Sequence, residues 1–212
     1  MIIDAYPLGP LESNVYLLRF ADDILIIDAG ASPSSIPVYD GKVRSVLCTH
    51  GHFDHTYSLE QMQSEYRCPV FIHPCELSFL AETSPSPLFR VNHQKVRTRP
   101  LADKQLFAPD DFSISSEEDP FTLEVIHTPG HTSGSVCFYL QIHPEIRCLF
   151  SGDTIFEGTV GRTDLGGCME DMRASVEKIK TLPDDTVIFP GHGAKTTVGR
   201  EKKTNPYFTG EY

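Results

Sequence analysis

Short apolar runs that halt on a histidine or an aspartate constrain this chain more than any other feature. Ile24-Leu25-Ile26-Ile27 stops at Asp28-Ala29-Gly30, and the run over 43–49 stops at His50. His131, Asp153 and His192 each follow a further apolar run, and each has glycine immediately before it. A short apolar run bounded by turn residues reads as a buried strand. Where such strands alternate with helical periodicity the architecture is α/β, and α/β proteins gather their sites at strand ends.

The pattern predicts strands over 15–20, 24–27, 43–49, 69–72, 123–126, 135–141, 147–150 and 186–189. Leu59, Met62 and Tyr66 at i, i+3, i+7 predict a helix over 57–66, and Met172, Val176 and Ile179 predict one over 169–182. Thr196-Thr197 can cap a last helix over 198–205, which Pro206 ends. Residues 85–120 are polar and punctuated by proline, and read as surface loops, including 83–87 and 115–119. We expect one domain over 1–212 carrying a long excursion, with no separate C-terminal helical domain in the 20 residues after His192.

Composition narrows the function classes. Eighteen Lys and Arg against 29 Asp and Glu give a net charge of −11, which argues against nucleic acid as a partner. No apolar run approaches the roughly 20 residues that span a bilayer, so no membrane association is expected. The first residues lack the basic and then apolar regions of a signal peptide. Six cysteines occur without a Cys-x-x-Cys pair, and Cys48, Cys137 and Cys148 sit in apolar stretches. Reduced thiols and a cytoplasmic location are the expectation.

Nine histidines stand out, three of them in Thr49-His50-Gly51-His52-Phe53-Asp54-His55. Imidazole nitrogen and carboxylate oxygen are donors for zinc, iron and manganese. His-x-His on extended backbone aims two rings at one point, and Asp54 and His55 lie where a turn can aim them at a second. A lone histidine is usually a hydrogen-bonded structural residue, but a cluster of imidazoles without a cation is electrostatically poor. His131, Asp153 and His192 complete a ligand set, each on a tight turn that glycine permits. His73 and His127 read as structural, and His93 and His143 as solvated loop residues.

This ordered set resembles the metallo-β-lactamase fold superfamily, and within it the glyoxalase II (hydroxyacylglutathione hydrolase) group in its short single-domain form, from about residue 2 to about residue 208. The resemblance implies an αββα sandwich and two divalent metal ions, zinc foremost, with iron or manganese also accepted. It assigns His50, His52 and His131 to one ion, Asp54, His55 and His192 to the other, and Asp153 to both. Asp28 resembles the superfamily's acidic residue behind the first motif, where it would orient a ligand; the plainer reading is a turn-capping aspartate. The aspartate at 153 sets the chain apart from the β-lactamases that carry a cysteine ligand or lack a bridging aspartate.

The implied activity is hydrolysis of a small-molecule thioester, of the S-lactoylglutathione type, by a metal-bridging hydroxide that Asp54 helps to orient. Arg162, in Gly161-Arg162-Thr163-Asp164, can bind a substrate carboxylate or brace its own loop against Asp164. The alternative activity is that of a non-haem iron persulfide dioxygenase on the same fold, whose Gly-Arg-Thr-Asp run is similar. A non-enzymatic or nucleic-acid-processing relative is the third reading, and the intact ligand set and the negative charge argue against it.

Overall fold

The first apolar runs pair as a meander. Strand β1 (Ile2–Leu8) lies antiparallel to β2 (Ser13–Phe20), and β2 antiparallel to β3 (Asp23–Ile27). From β3 onward the sheet is parallel, through β4 (Lys42–Leu47), β5 (Val70–Ile72) and β6 (Thr98–Pro100). The computed structural model describes residues 1–37, 41–81, 93, 95–114, 120–142 and 145–211. The chain divides into two compact units: Met1–Leu101 with Ala108–Pro120, and Ala102–Phe107 with Phe121–Tyr212.

In the first unit, alternate residues Val15, Leu17, Ile24, Ile26, Val46, Cys48, Val70 and Ile72 form one buried cluster. Helix α1 (Phe53–Thr56) follows β4, and α2 (Leu59–Tyr66) adds Leu59 and Met62 to that cluster. The intervening residues Leu18, Leu25, Ile27 and Leu47 are fully buried too, which accounts for the unbroken apolar runs. Each such side chain contributes about 1.5–3 kcal/mol on burial. A short helix, α3 (Leu77–Ala81), follows β5.

The second unit is a sheet in the order β14-β13-β10-β9-β8-β7. Its strands are β7 (Leu106–Phe107), β8 (Phe121–His127), β9 (Val136–Ile142), β10 (Ile146–Gly152), β13 (Val187–Pro190) and β14 (Thr196–Thr197). Only β10 and β13 are parallel. A small hairpin of β11 (Ile155–Phe156) and β12 (Thr159–Val160) leaves the end of β10. Helix α4 (Met169–Lys180) buries Met172, Val176 and Ile179 against Cys137, Tyr139, Leu149 and Ile188, the stripe its periodicity predicts. Helix α5 (Val198–Thr204) begins where Thr197 accepts from the Arg200 N–H.

Both units mix strands and helices, the α/β class expected. The sequence reading did not foresee β1, β11, β12, β14, α1 or α3, and two further details differ from it. Pro206 does not simply end the chain's helices: it opens α6 (Pro206–Thr209), with Asn205 accepting from Tyr207 N–H as its cap, because proline is favoured in a first helical turn. The polar segment contains β6 and β7, short strands at the edges of their sheets, where proline and polar residues are tolerated. The expectations for 83–87, 115–119 and His143 fall outside the described residues.

No helix among the described residues is long and apolar enough to cross a membrane. All six cysteines are unbridged; Cys48, Cys68, Cys137 and Cys148 are buried and Cys75 and Cys168 exposed. Burial pushes the thiols of Cys68, Cys137 and Cys148 up to about 11 and holds that of Cys48 well above its usual range. An aromatic disulfide reagent at neutral pH is therefore expected to titrate two thiols rapidly and the other four only on unfolding. The folded state keeps protons on the three thiols that the unfolded chain releases near pH 9, so stability is complete below pH 9 and falls as pH rises toward 11. Denaturant midpoints between pH 8 and pH 11 check this.

Candidate metal centre

In the first unit the site stands on the parallel strands β3 and β4. Parallel neighbours end at the same sheet edge, so Asp28, just past β3, lies beside Thr49 and His50, just past β4. The Asp28 N–H donates to the Leu47 carbonyl at 2.9 Å. Asp28 has left-handed backbone, φ 62°, which aspartate tolerates better than most residues. Its buried carboxylate accepts from the Thr49 N–H, the Thr49 hydroxyl and His55 Nδ1, each at 2.8 Å.

Those contacts settle the tautomers. Thr49 has one hydroxyl hydrogen, and Asp28 takes it. The 3.0 Å contact between Thr49 Oγ1 and His50 Nδ1 is then donated by His50. His50 and His55 thus carry hydrogen on Nδ1 and keep the Nε2 lone pair for a ligand. Asp28 acts on His55 directly and on His50 through Thr49, so it is more than a turn cap.

The remaining donors of this unit come from α1. His52 sits at the entry to α1 on extended backbone, φ −62° and ψ 148°, as a His-x-His pair requires. The His50 ring lies 4.8 Å from that of His52 and 4.3 Å from that of His55. The Ala29 N–H donates to the His55 carbonyl at 2.7 Å, and the Ser13 hydroxyl to the Asp54 carbonyl at 2.6 Å, which holds α1 from beneath. His55 Nε2 stands 3.5 Å from Asp54 Oδ2.

The second unit repeats the device with different strands. β8 and β10 both run antiparallel to β9, and β13 runs parallel to β10, so the ends of β8, β10 and β13 share an edge. His131, Asp153 and His192 lie just past those ends. The Gly191 N–H donates to the Gly152 carbonyl at 2.8 Å, joining two of the turns. Gly130 has φ 144°, and a Cβ there would fall 2.5 Å from Met172 Cα, so glycine alone lets this loop cross the first turn of α4. His131 Nδ1 donates to the Arg162 carbonyl at 2.7 Å, leaving Nε2 as the ring atom able to bind a metal. That Nε2 is 3.5 Å from Asp153 Oδ2, and His192 Nε2 is 3.8 Å from the same oxygen.

These separations test whether the residues fit a metal. Two ligands about 2.0–2.2 Å from one tetrahedral ion stand about 3.4 Å apart. The pairs at 3.5, 3.5 and 3.8 Å are too long for good hydrogen bonds and close to that spacing. Nitrogen and oxygen donors held this way suit a divalent cation. All seven expected ligands belong to histidine and aspartate groups able to hold a metal ion.

Arg162 takes the plainer of its two readings in this loop. Its guanidinium forks onto Asp164, with Nε and Nη2 each 2.6 Å from a carboxylate oxygen. That hydrogen bonding holds the exposed Asp164 carboxyl down to about 2. The Arg162 backbone carbonyl, not its side chain, reaches His131.

The other histidines behave in two ways. His73 accepts from the Cys75 N–H and His127 Nε2 pairs with the Ser133 carbonyl, both structural as expected. His93, read as solvated, is instead buried at 4% exposure, and that burial lowers its pKa. A polar neighbourhood in sequence did not foretell its burial. The sequence reading also missed Thr49, which relays Asp28 to His50, and Glu76, which accepts from the Gly51 N–H. Thr49 could have been found from its place between a strand end and the first ligand; Glu76 carries no such signal.

Comparison with known proteins agrees with this geometry. The sequence profile of the metallo-beta-lactamase superfamily matches residues 8–192. A probable metallo-hydrolase of Bacillus subtilis, YqgX, is 35% identical over 96% of this chain and 96% of its own. Hydroxyacylglutathione hydrolase GloC of Haemophilus influenzae is 31% identical over 98% of each. Among solved structures, the BLEG-1 B3 metallo-beta-lactamase superposes with TM-score 0.84 at 31% identity, covering 98% of this chain and 100% of that one. TTHA1623, solved in a di-iron-bound form, superposes with TM-score 0.80 at 31% identity, covering 96% and 99%. With the profile spanning both units and both sets of donors, the chain belongs to the metallo-β-lactamase superfamily and has its fold.

Proposed function

We propose that the protein is a dinuclear metal-dependent hydrolase of thioesters of the hydroxyacylglutathione type. The observation that carries this reading is Asp153 Oδ2 flanked by two imidazole Nε2 atoms, at 3.5 and 3.8 Å, as a carboxylate shared between ions would be. The likeness to GloC supports the substrate class. In this reading His50, His52 and His131 hold one ion, Asp54, His55 and His192 the other, and Asp153 both.

Divalent ions held there would supply Lewis acidity and bring the pKa of a bound water near neutrality. The chain's own residues do the rest. Asp54, with one carboxylate oxygen 3.5 Å from His55 Nε2, would also orient the attacking water. Asp28 keeps hydrogen on Nδ1 of His55 and, through Thr49, of His50, so both rings stay ligands. A thiolate departs readily because its conjugate acid has a pKa of about 8.5, so no side chain need protonate it. The reading uses no cysteine nucleophile, in keeping with the buried, protonated thiols. The donors accept zinc, iron or manganese, and we propose zinc. Six unbridged cysteines support a reducing, cytoplasmic setting.

Metal analysis of the purified protein, followed by assays on the same preparation, tests the proposal. We expect about two metal ions per chain and cleavage of S-lactoylglutathione that a chelator abolishes and added metal restores. One iron per chain with oxygen uptake on glutathione persulfide would replace this reading with the dioxygenase one. Opening of a β-lactam ring without thioester cleavage would replace it with the activity named for BLEG-1.

Two substitutions test the ligand assignment. Asp153→Ala and His192→Ala are each expected to lose metal and activity sharply while circular dichroism stays unchanged; full hydrolysis by either variant refutes that residue's role. Asp28→Asn should weaken metal binding roughly 10–100-fold, because an amide cannot accept all three hydrogen bonds. Competition with a chromophoric chelator measures that loss.

A further inference from the structure

We propose that Glu76 is a positioning residue that pins the peptide between the ligands His50 and His52; the proposal rests on the reading of those two histidines as metal ligands. Glu76 closes the 3-10 turn Pro74–Glu76, just past β5, and its side chain is fully buried. β5 is the parallel neighbour of β4, so the turns after both strands meet at one edge. There Glu76 Oε2 accepts from the Gly51 N–H at 2.6 Å.

Gly51 is the softest link in the ligand turn. Glycine has the widest choice of backbone angles, and here it lies between two rings that must face the same ion. Its side-chain-free face is needed: a Cβ would stand 2.8 Å from Phe79 Cβ, 3.0 Å from the Glu76 carbonyl oxygen and 3.1 Å from Glu76 Oε2. The residue that permits this close approach is also the one most free to rotate. Fixing its N–H removes that freedom without filling the space. Phe79, on α3, completes the grip, with its ring edge-on to His52 at 5.1 Å and 85°. One short segment therefore holds the turn by a hydrogen bond at its middle and a ring contact at its second ligand.

The effect expected of Glu76 is geometric, so an acceptor of the same shape should replace it. In the metal-free protein the Gly51 amide should show a downfield proton shift and slow exchange, both lost in Glu76→Ala and largely kept in Glu76→Gln. Loaded with Co²⁺, Glu76→Ala should bind roughly 10–100-fold more weakly, with altered visible absorption bands, while Glu76→Gln returns close to the native spectrum and affinity. Native Co²⁺ affinity and spectrum in Glu76→Ala would overturn the proposal. So would a Glu76→Gln variant as impaired as Glu76→Ala, which would make charge the operative property. Fast exchange of Gly51 in the unaltered metal-free protein would overturn it even if Glu76→Ala fails to fold. His50→Ala and His52→Ala separate the two layers: if neither weakens Co²⁺ binding, the ligand assignment itself fails. If both do and Glu76→Ala does not, only the role of Glu76 fails.

Discussion

A single buried carboxylate, that of Asp28, organises the candidate metal donors of the first unit. It takes hydrogen from the backbone of Thr49, from its hydroxyl and from His55, and so sets two imidazoles and one strand end at once. Removing a carboxylate from water is costly, and hydrogen bonds to the charged form offset that cost. Asp28 stands in the left-handed region, and from there its side chain meets Thr49 past the end of the next strand. The loop that follows then supports α1 through the Ala29 N–H, so the same turn that orients His55 also carries it.

Topology makes such economy possible. Parallel strands end together, and in both units the donors sit just past strands that end at one edge. β8 joins β10 and β13 only because β9 lies between β8 and β10 and runs the other way. Three turns widely separated in sequence thereby deliver His131, Asp153 and His192 to adjacent positions. The residue before His131 is glycine for a steric reason, since a Cβ at Gly130 would fall 2.5 Å from Met172 Cα at the start of α4.

Much of this was legible in the sequence because strand burial and ligand chemistry leave local marks. The run 24–27 is apolar throughout since residues on both its faces are buried, and the stripe Met172, Val176, Ile179 is the buried face of α4. The candidate donors were legible because His50, His52, Asp54 and His55 crowd six positions, a density that no structural role demands. What stayed hidden depends on contacts between residues far apart in the chain. Glu76 meets Gly51 across 25 positions, and no periodicity links them. His93 is buried although its neighbours are polar, and β6 and β7 escaped notice because edge strands need no apolar alternation. The double reading of Arg162 turned on whether Asp164 would be met by its fork, which spacing alone leaves open.

The candidate histidine donors are fixed in two different ways, and exposure explains which. His50, His55 and His131 are almost wholly buried, and each is held at Nδ1 by Thr49, Asp28 or the Arg162 carbonyl. His52 is only half-buried and the His192 side chain is 29% exposed, and each has an aromatic neighbour, Phe79 at 5.1 Å and Phe156 at 6.4 Å. A hydrogen bond orients a ring firmly where water cannot compete for it. Nearer to solvent that advantage shrinks, whereas a packed aromatic edge restricts the ring and displaces water together. The buried candidate donors are thus fixed by hydrogen bonds, and the two more exposed ones by ring packing.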